Sequence, residues 1–297
     1  MAETADSKRP VAAKGSPRRT GLRPDFATLA GILLALAGIL GGLLLENGRI
    51  QDVAQATAAM IVLGGTFGAV LVTTPLPIVR RAMAGVRYVL FDRAVSTGET
   101  VEKLIQFATK ARKSGIVSLE EEALTLPDPF LRKALGLAVD GTDLNVLRKI
   151  MEIDIQLSEQ AAEEEAKVWE SAGGYAPTIG IIGAVMGLIQ VMKHLEDIKE
   201  VGHGIAVAFV ATVYGVGSAN ILFLPAASKL RSRMHRSTRI MEMMLEGVLG
   251  IVEGLNPTLI RLKLASFDDE RKKPAKASAK SKSRAATPAG AAQATQG

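Results

Sequence analysis

The sequence predicts an all-α integral membrane protein with four transmembrane helices and a helical cytoplasmic domain between spans 2 and 3. Three observations carry this. Four apolar runs, 26–45, 53–79, 172–192 and 205–227, each reach about the 20 residues a helix needs to cross a bilayer. A stretch of helical periodicity, 80–171, lies between the second and third runs and is too charged for lipid. Basic residues gather on one side of the runs. The 297 residues are 48% hydrophobic, and these are packed into the runs, so the average understates the membrane character.

Residues 1–25 are polar, with Pro10, Pro17 and Pro24 and six basic residues from Lys8 to Arg23, and are expected to be a disordered basic tail. Phe26–Leu45 is longer than a signal-peptide core and no small-x-small cleavage site follows it, so it reads as the first span. Its Gly38-x-x-x-Gly42 pair suits close helix packing. After the polar turn Glu46–Asp52, the second span Val53–Val79 carries Gly64-x-x-x-Gly68. Thr73-Thr74-Pro75-Leu76-Pro77 predicts a break near its end, because each proline removes a backbone donor.

The domain 80–171 reads as a set of polar helices. Ser96-x-x-Glu99 and Ser118-x-x-Glu121 have the form of capping boxes. Val101, Leu104, Ile105, Ala108 and Ala111 recur at helical spacing, and Gly115 fits a helix stop. Pro127-Asp128-Pro129 opens another short helix. From Asp143 a long helix begins, with Leu144, Leu147, Ile150, Met151, Ile153, Ile155 and Leu157 on a broad apolar side. It meets no breaker before Gly173-Gly174, so it is expected to run into the third span, with Trp169 at the membrane surface. Glu120-Glu121-Glu122 reads as a solvated helix start and Glu163-Glu164-Glu165 as a solvated face.

The third and fourth spans, 172–192 and 205–227, contain no Asp, Glu, Lys, Arg or His. Gly183-x-x-x-Gly187 and Ala211-x-x-x-Gly215-x-x-x-Ala219 let helices approach closely, and each span has one proline, Pro177 or Pro225. Tyr175, Thr178, Gln190, Thr212, Tyr214, Ser218 and Asn220 are the remaining polar groups, a composition for a packed bundle or a pore lining. The loop between them is expected at Lys193–Gly204. Residues 229–265 read as an amphipathic helix up to Pro257, and 266–297, with seven Lys/Arg between Arg271 and Arg284, as a second disordered basic tail. The basic clusters at the N-terminus, Arg80-Arg81-Arg87 and Arg231–Arg239 place both termini and the large loop in the cytoplasm.

Several function classes are excluded or left without support. There is no cysteine, so no disulfide or thiolate metal site, and three histidines are too few for a metal centre. No Walker loop, paired-His motif or nucleophile elbow is present, so no catalytic residue, cofactor or enzyme activity is expected. The basic tails are read as lipid-facing, with no nucleic-acid partner. Ion-coupled membrane proteins place an ionisable group within the bilayer. Here either no ion moves or a partner supplies the carboxylate. Thr212 offers its hydroxyl to a passing water or ion, or else bonds a backbone carbonyl.

Tyr175–Leu230 resembles the third and fourth spans of the MotA/PomA family of flagellar stator subunits, within the MotA/TolQ/ExbB proton channel superfamily. The resemblance rests on Ala176-Pro177-x-x-Gly180-x-x-Gly183-x-x-x-Gly187-Leu188 and on Ala206-Val207-Ala208 with Thr212-x-Tyr214-Gly215. Asn220-x-x-Phe223-x-Pro225-x-Ala227-x-Lys229-Leu230 completes it, and Arg112-Lys113-Ser114-Gly115 with Ser118-Leu119-Glu120 resembles the family's rotor-facing segment. The resemblance implies a homo-oligomer of five copies around two of MotB, a single-span peptidoglycan-binding partner that carries the proton-binding Asp. It implies that Pro177 and Pro225 couple ion passage to movement, that Arg112 and Glu120 contact the rotor protein FliG, and that the protein lies in the bacterial inner membrane. Sodium-type members have a threonine where this chain has Ala184, and Thr212 alone does not restore the pair, so protons are expected over sodium. An ExbB/TolQ-like energiser of envelope transport and a secondary transporter remain as alternatives.

Overall fold

The computed structural model describes residues 22–93 and 97–269. Leu22–Pro24 (β1) pairs antiparallel with Phe91–Arg93 (β2), Leu22 opposite Arg93. Asp25 then caps α1 (Phe26–Leu45) by accepting from the Thr28 amide at 3.3 Å. The last four residues of the expected disordered tail are therefore ordered, held by a strand partner and an N-cap. Residues 1–21 lie outside the described residues. α1 buries no residue and touches the rest of the fold only lightly, beside 76–90 and 219–223.

After a turn at Asn47 (φ 59°) comes the short α2 (Ile50–Val53). The second span is built from α3 (Ala56–Ala59), a π turn (Met60–Gly64) and α4 (Gly65–Thr73). Thr74 is extended and Pro75 precedes α5 (Leu76–Leu90), so the expected proline break is present, at 73–76.

In the polar domain α6 (Thr97–Ser114) stops at Gly115, whose φ of 81° lies where side-chain-bearing residues are strained. A 3-10 turn (Ile116–Leu119) leads into α7 (Glu120–Thr125). The Ser118 box does not form: its Oγ donates to the Gly115 carbonyl at 2.6 Å, and Leu119 is the N-cap. The local turn offered the hydroxyl a partner before the helix did. Ser96 lies outside the described residues. Asp128 caps α8 (Pro129–Val139), accepting from the Phe130 and Leu131 amides, each at 3.0 Å.

α9 (Leu144–Lys193) is one helix of 50 residues, continuous through Gly173, Gly174 and Pro177. A turn at 194–197 leads to α10 (Ile198–Ser218), so the expected loop is shorter and the helix begins seven residues before Ile205. A π turn (Ala219–Phe223) joins α10 to α11 (Leu224–Val252), making a second rod of 55 residues. Gly254 (φ 70°) ends it, and Pro257 opens α12 (Pro257–Asp269). The expected single amphipathic helix is thus two elements, and residues 266–269 are helical. Proline suits the first turn of a helix as well as the stop that the sequence suggested.

Two cores result. In the polar domain Leu104, Leu119, Leu135, Leu147 and Met151 are fully buried against Met243, Leu249, Ile260 and Leu264. Each such side chain contributes about 1.5–3 kcal/mol. Of the predicted apolar side of α9, Leu147, Met151 and Ile155 are buried in this core and Leu144 packs against it half-buried, while Ile153 and Leu157 are exposed. The second core joins Val79 and Ala82 of α5 to Val168, Trp169, Ala172 and Ala176 of α9 and to Phe223. Trp169 is 7% exposed, donates from Nε1 to the Ala82 carbonyl at 3.3 Å and packs on Phe223 with ring centroids 6.0 Å apart. It is an internal anchor rather than a residue of the membrane surface, because the small Ala82 and Ala172 leave room for the indole.

Candidate functional site: a glycine seam, two prolines and an exposed charged pair

The third and fourth spans meet backbone to backbone. A Cβ added at Gly187 would lie 2.7 Å from the Gly204 carbonyl oxygen and 2.8 Å from the Ala208 nitrogen. One at Gly215 would lie 2.6 Å from the Ala176 carbonyl oxygen, and one at Gly180 2.9 Å from that of Ala211. Between helices in lipid there is no hydrophobic drive, so such close packing supplies the attraction. The predicted patterns of spans 3 and 4 therefore form the seam. The Gly38/Gly42 and Gly64/Gly68 pairs do not: each has open space, and Gly65 instead meets Ile179. The spacing is shared by all these pairs, and the helix face that meets a neighbour distinguishes them.

The polar groups of the spans are turned inward on their own helices. Thr212 Oγ1 donates to the Ala208 carbonyl at 3.2 Å, Thr178 Oγ1 to Tyr175 at 2.8 Å and Asn220 Nδ2 to Val216 at 2.9 Å. Of the two readings of Thr212, this is the backbone-bonded one. Thr212 and Ala184 are both half-buried. Tyr214 is the exception, donating across to the Val53 carbonyl at 2.6 Å and tying α10 to the N-terminal end of the second span. Thr66 is fully buried, and its hydroxyl has no hydrogen-bond partner among the described residues. No sequence signal singled it out, because one threonine in an apolar run is common.

Both prolines sit within continuous rods. Pro177 has no amide hydrogen for the Gly173 carbonyl one turn earlier. Gly173 lies against Leu224, where an added Cβ would be 2.6 Å from Leu224 Cδ2. Leu224 precedes Pro225, which follows directly on the π turn at 219–223. Each rod thus loses regular hydrogen bonding where it touches the other.

Directly below lies an ion-pair cluster. Arg231 bonds Glu163 at 2.7 Å and Glu170 at 2.5 Å, and Arg81 faces Glu164 at 3.6 Å. Arg231 holds both of its carboxylates below their ordinary pKa, and they raise its own. Burial beside Gly85 raises Glu165, against the pull of Arg81. The expected solvated face of Glu163–Glu165 is half-buried, because α5 and α11 both pack on it.

Arg112, in the last turn of α6, and Glu120, the first residue of α7, are exposed. Lys110 and Glu122 pair at 2.6 Å and fasten α6 to α7. No ion pair engages Arg112 or Glu120 among the described residues, so both charges remain on offer to a partner. Arg112 also borders a cavity of about 360 Å³ with Ile116, Thr142, Ile251 and Leu255. Among the described residues no cluster of His, Asp or Glu is placed to hold a metal ion.

Four spans, the third and fourth joined by a glycine seam and prolonged into a polar domain that presents charges unpaired among the described residues, define a membrane channel subunit. The chain matches the MotA/TolQ/ExbB proton channel family over residues 122–243 and the Motility protein A N-terminal family over residues 29–115. It is 33% identical to Motility protein A of Bacillus subtilis over 82% of this chain and 90% of that one. It is 30% identical to Chemotaxis protein PomA of Vibrio alginolyticus over 84% and 97%. The solved structure of C. jejuni MotAB superposes with a TM-score of 0.77 at 32% identity, over 82% of this chain and 95% of that one. The chain belongs to the Motility protein A family.

Proposed function

We propose that this chain is the MotA-like stator subunit of a proton-driven flagellar motor. Several copies, five in the ring that the family resemblance implies, surround two single-span MotB-like subunits. The carrying observation is the pairing of carboxylate-free spans with two unbroken rods. The spans hold no titratable acid, so the ion-binding carboxylate comes from the partner. The rods carry any movement at the seam straight to the polar domain. A proton crossing 100 mV releases about 2.3 kcal/mol. That exceeds thermal energy several-fold and is enough to shift a helix already weakened at Pro177 and Pro225.

The output surface is Arg112 and Glu120, whose free charges suit a complementary pair on the rotor protein, FliG. Ala184 presents a methyl group and Thr212 spends its hydrogen on Ala208, so no hydroxyl pair supports a dehydrated sodium ion. No chemical step and no cofactor belong to this reading. The protein sits in the inner membrane with both termini and the polar domain in the cytoplasm, as its basic clusters direct. The MotAB stator structures of C. jejuni and Bacillus subtilis support assembly with a MotB-like chain. The test is complementation of a stator-deleted host by this chain with and without its single-span partner. Restored rotation only with both is expected, and rotation with this chain alone overturns the reading.

A further inference from the structure

Three helices stop around one hollow at the end of the polar domain away from the spans. α6, α8 and α11 each end beside a glycine of positive φ: Gly115 at 81°, Gly141 at 73° and Gly254 at 70°. α11 carries its last turn about 40 Å beyond Pro225. Between these ends lies the cavity of about 360 Å³ that Arg112 borders. Its walls are Ala108, Ala111, Ile116, Ala138, Ile251 and Leu255. The alanine side chains are too short to fill the space where α6 and α8 approach α11, so the lining atoms lack packing partners on the open side.

The charges around this hollow are of both signs. Arg112 is the charged side chain of its wall, with exposed Lys113 next to it. On the side of α8 and α11, exposed Asp140 and Glu253 each precede a lining glycine, Gly141 or Gly254. No ion pair engages Arg112, Lys113, Asp140 or Glu253 among the described residues. The two carboxylates stand at the C-terminal ends of α8 and α11, whose partial negative charge adds to theirs. An apolar hollow with a positive rim on one side and a negative rim on the other fits one occupant. It is a helix of a partner protein that presents a large apolar side chain between a carboxylate and a basic residue.

We propose that this hollow is the anchor point of the output surface. It takes one side chain the size of leucine, methionine or phenylalanine from a helix of the rotor, whose carboxylate faces Arg112 and whose base faces Asp140 and Glu253. This rests on the reading that the polar domain meets a rotor. One exposed ion pair favours association by about fivefold at most, too little for Arg112 or Glu120 to hold a partner under load. Burying one large apolar side chain favours it by roughly tenfold to a hundredfold. The charges therefore set the orientation and the hollow supplies the hold.

Ala111→Leu, on α6, and Thr142→Leu, on the turn before α9, fill the hollow from two different walls without altering a charge. The full chain with its single-span partner is held in nanodiscs, its assembled size is measured, and purified FliG of the same bacterium is titrated onto it. Each filled variant should assemble at the parent's size, bind FliG roughly tenfold to a hundredfold more weakly and lower motor torque in cells. Arg112→Ala should weaken binding by no more than about fivefold. Parental affinity and torque in both filled variants overturn the anchor, and the rotor reading still stands if Arg112→Glu impairs torque. A parent complex that restores rotation but binds no FliG also overturns the anchor. A parent complex that restores no rotation removes the rotor reading and the anchor with it. Loss of assembly in both filled variants makes a neighbouring copy the occupant and overturns the proposal.

Discussion

At the residue scale, the seam depends on atoms that are missing. Gly187 faces backbone on the opposite helix, which cannot rotate away as a side chain does. Gly187→Val should therefore destabilise the subunit by at least the ~1–3 kcal/mol typical of overpacking, seen as a lower melting temperature in detergent. Gly136, in α8, has open space where a Cβ would go, and Gly136→Ala should stabilise by about 0.5–1 kcal/mol through helix propensity alone. Pro177→Leu restores an amide to the Gly173 carbonyl and stiffens α9 at its contact with Leu224. The variant should fold and bind its partner but stop rotation, and near-normal motor speed would remove the hinge. Asp25 is held at about 2, chiefly by the Lys229 hydrogen bond, against an ordinary 3.8. A depressed carboxylate stabilises above its ordinary value and loses that effect as pH falls toward the depressed one. The tie from α1 to α11 should thus be constant from mildly acid to neutral pH and weaken only between 3.8 and about 2. Cysteine placed at Phe26 should become more reactive to a thiol reagent in Asp25→Asn at neutral pH, and unchanged reactivity would show the tie to be idle.

At the scale of elements, α9 and the α10–α11 rod act as levers whose far ends are braced by α6, α8 and α12 through one core. Arg112 and Glu120 lie on that braced end, outside the Lys110–Glu122 fastening. Arg112→Glu should leave assembly intact and impair torque, since no ion pair engages the guanidinium among the described residues. Normal motility in both Arg112 and Glu120 charge-reversal variants would sink the rotor contact. Much of this was legible in the sequence. The apolar runs, the break before Leu76, the stop at Gly115, the cap at Asp128 and the unbroken helix from Leu144 all follow from local propensity or period. What stayed hidden depended on which face meets which neighbour. The Gly64/Gly68 spacing equals that of Gly183/Gly187, yet only the latter pair meets a neighbouring helix, Gly183 against the Ala211 methyl and Gly187 against the backbone of Gly204 and Ala208. Glu163 reads as solvated until Arg231, 68 residues away, folds against it. Trp169 reads as a surface marker until Ala82 accepts its hydrogen bond. The contact of Gly173 with Leu224, beside Pro225, is likewise a tertiary fact.

At the scale of the whole molecule, the single subunit is incomplete as a channel. α1 buries nothing, and Ile181, Ile182, Val185, Leu188 and Ile189 of the third span and Phe209 and Val213 of the fourth are exposed. Such apolar faces on both sides of one hairpin suit lipid or neighbouring chains, and they hold no charge that could strip a proton from water. The side chains of Thr178, Thr212, Tyr214, Ser218 and Asn220 in spans 3 and 4 each donate to a backbone carbonyl. A continuous water wire would have to displace those bonds at a cost of about 1 kcal/mol each or more. The chain expressed alone should therefore conduct no ions, with proton flux in liposomes equal to that of empty vesicles. Flux should appear when a single-span partner bearing one carboxylate is added, and should vanish when that carboxylate is made an amide. Torque in cells should then persist when external sodium is replaced by potassium at fixed pH, because Ala184 provides no ligand and Thr212 is engaged with Ala208. A speed that saturates with sodium concentration would overturn the proton assignment. Flux through the lone subunit would place the ion path within this chain and remove the reason for a carboxylate-bearing partner.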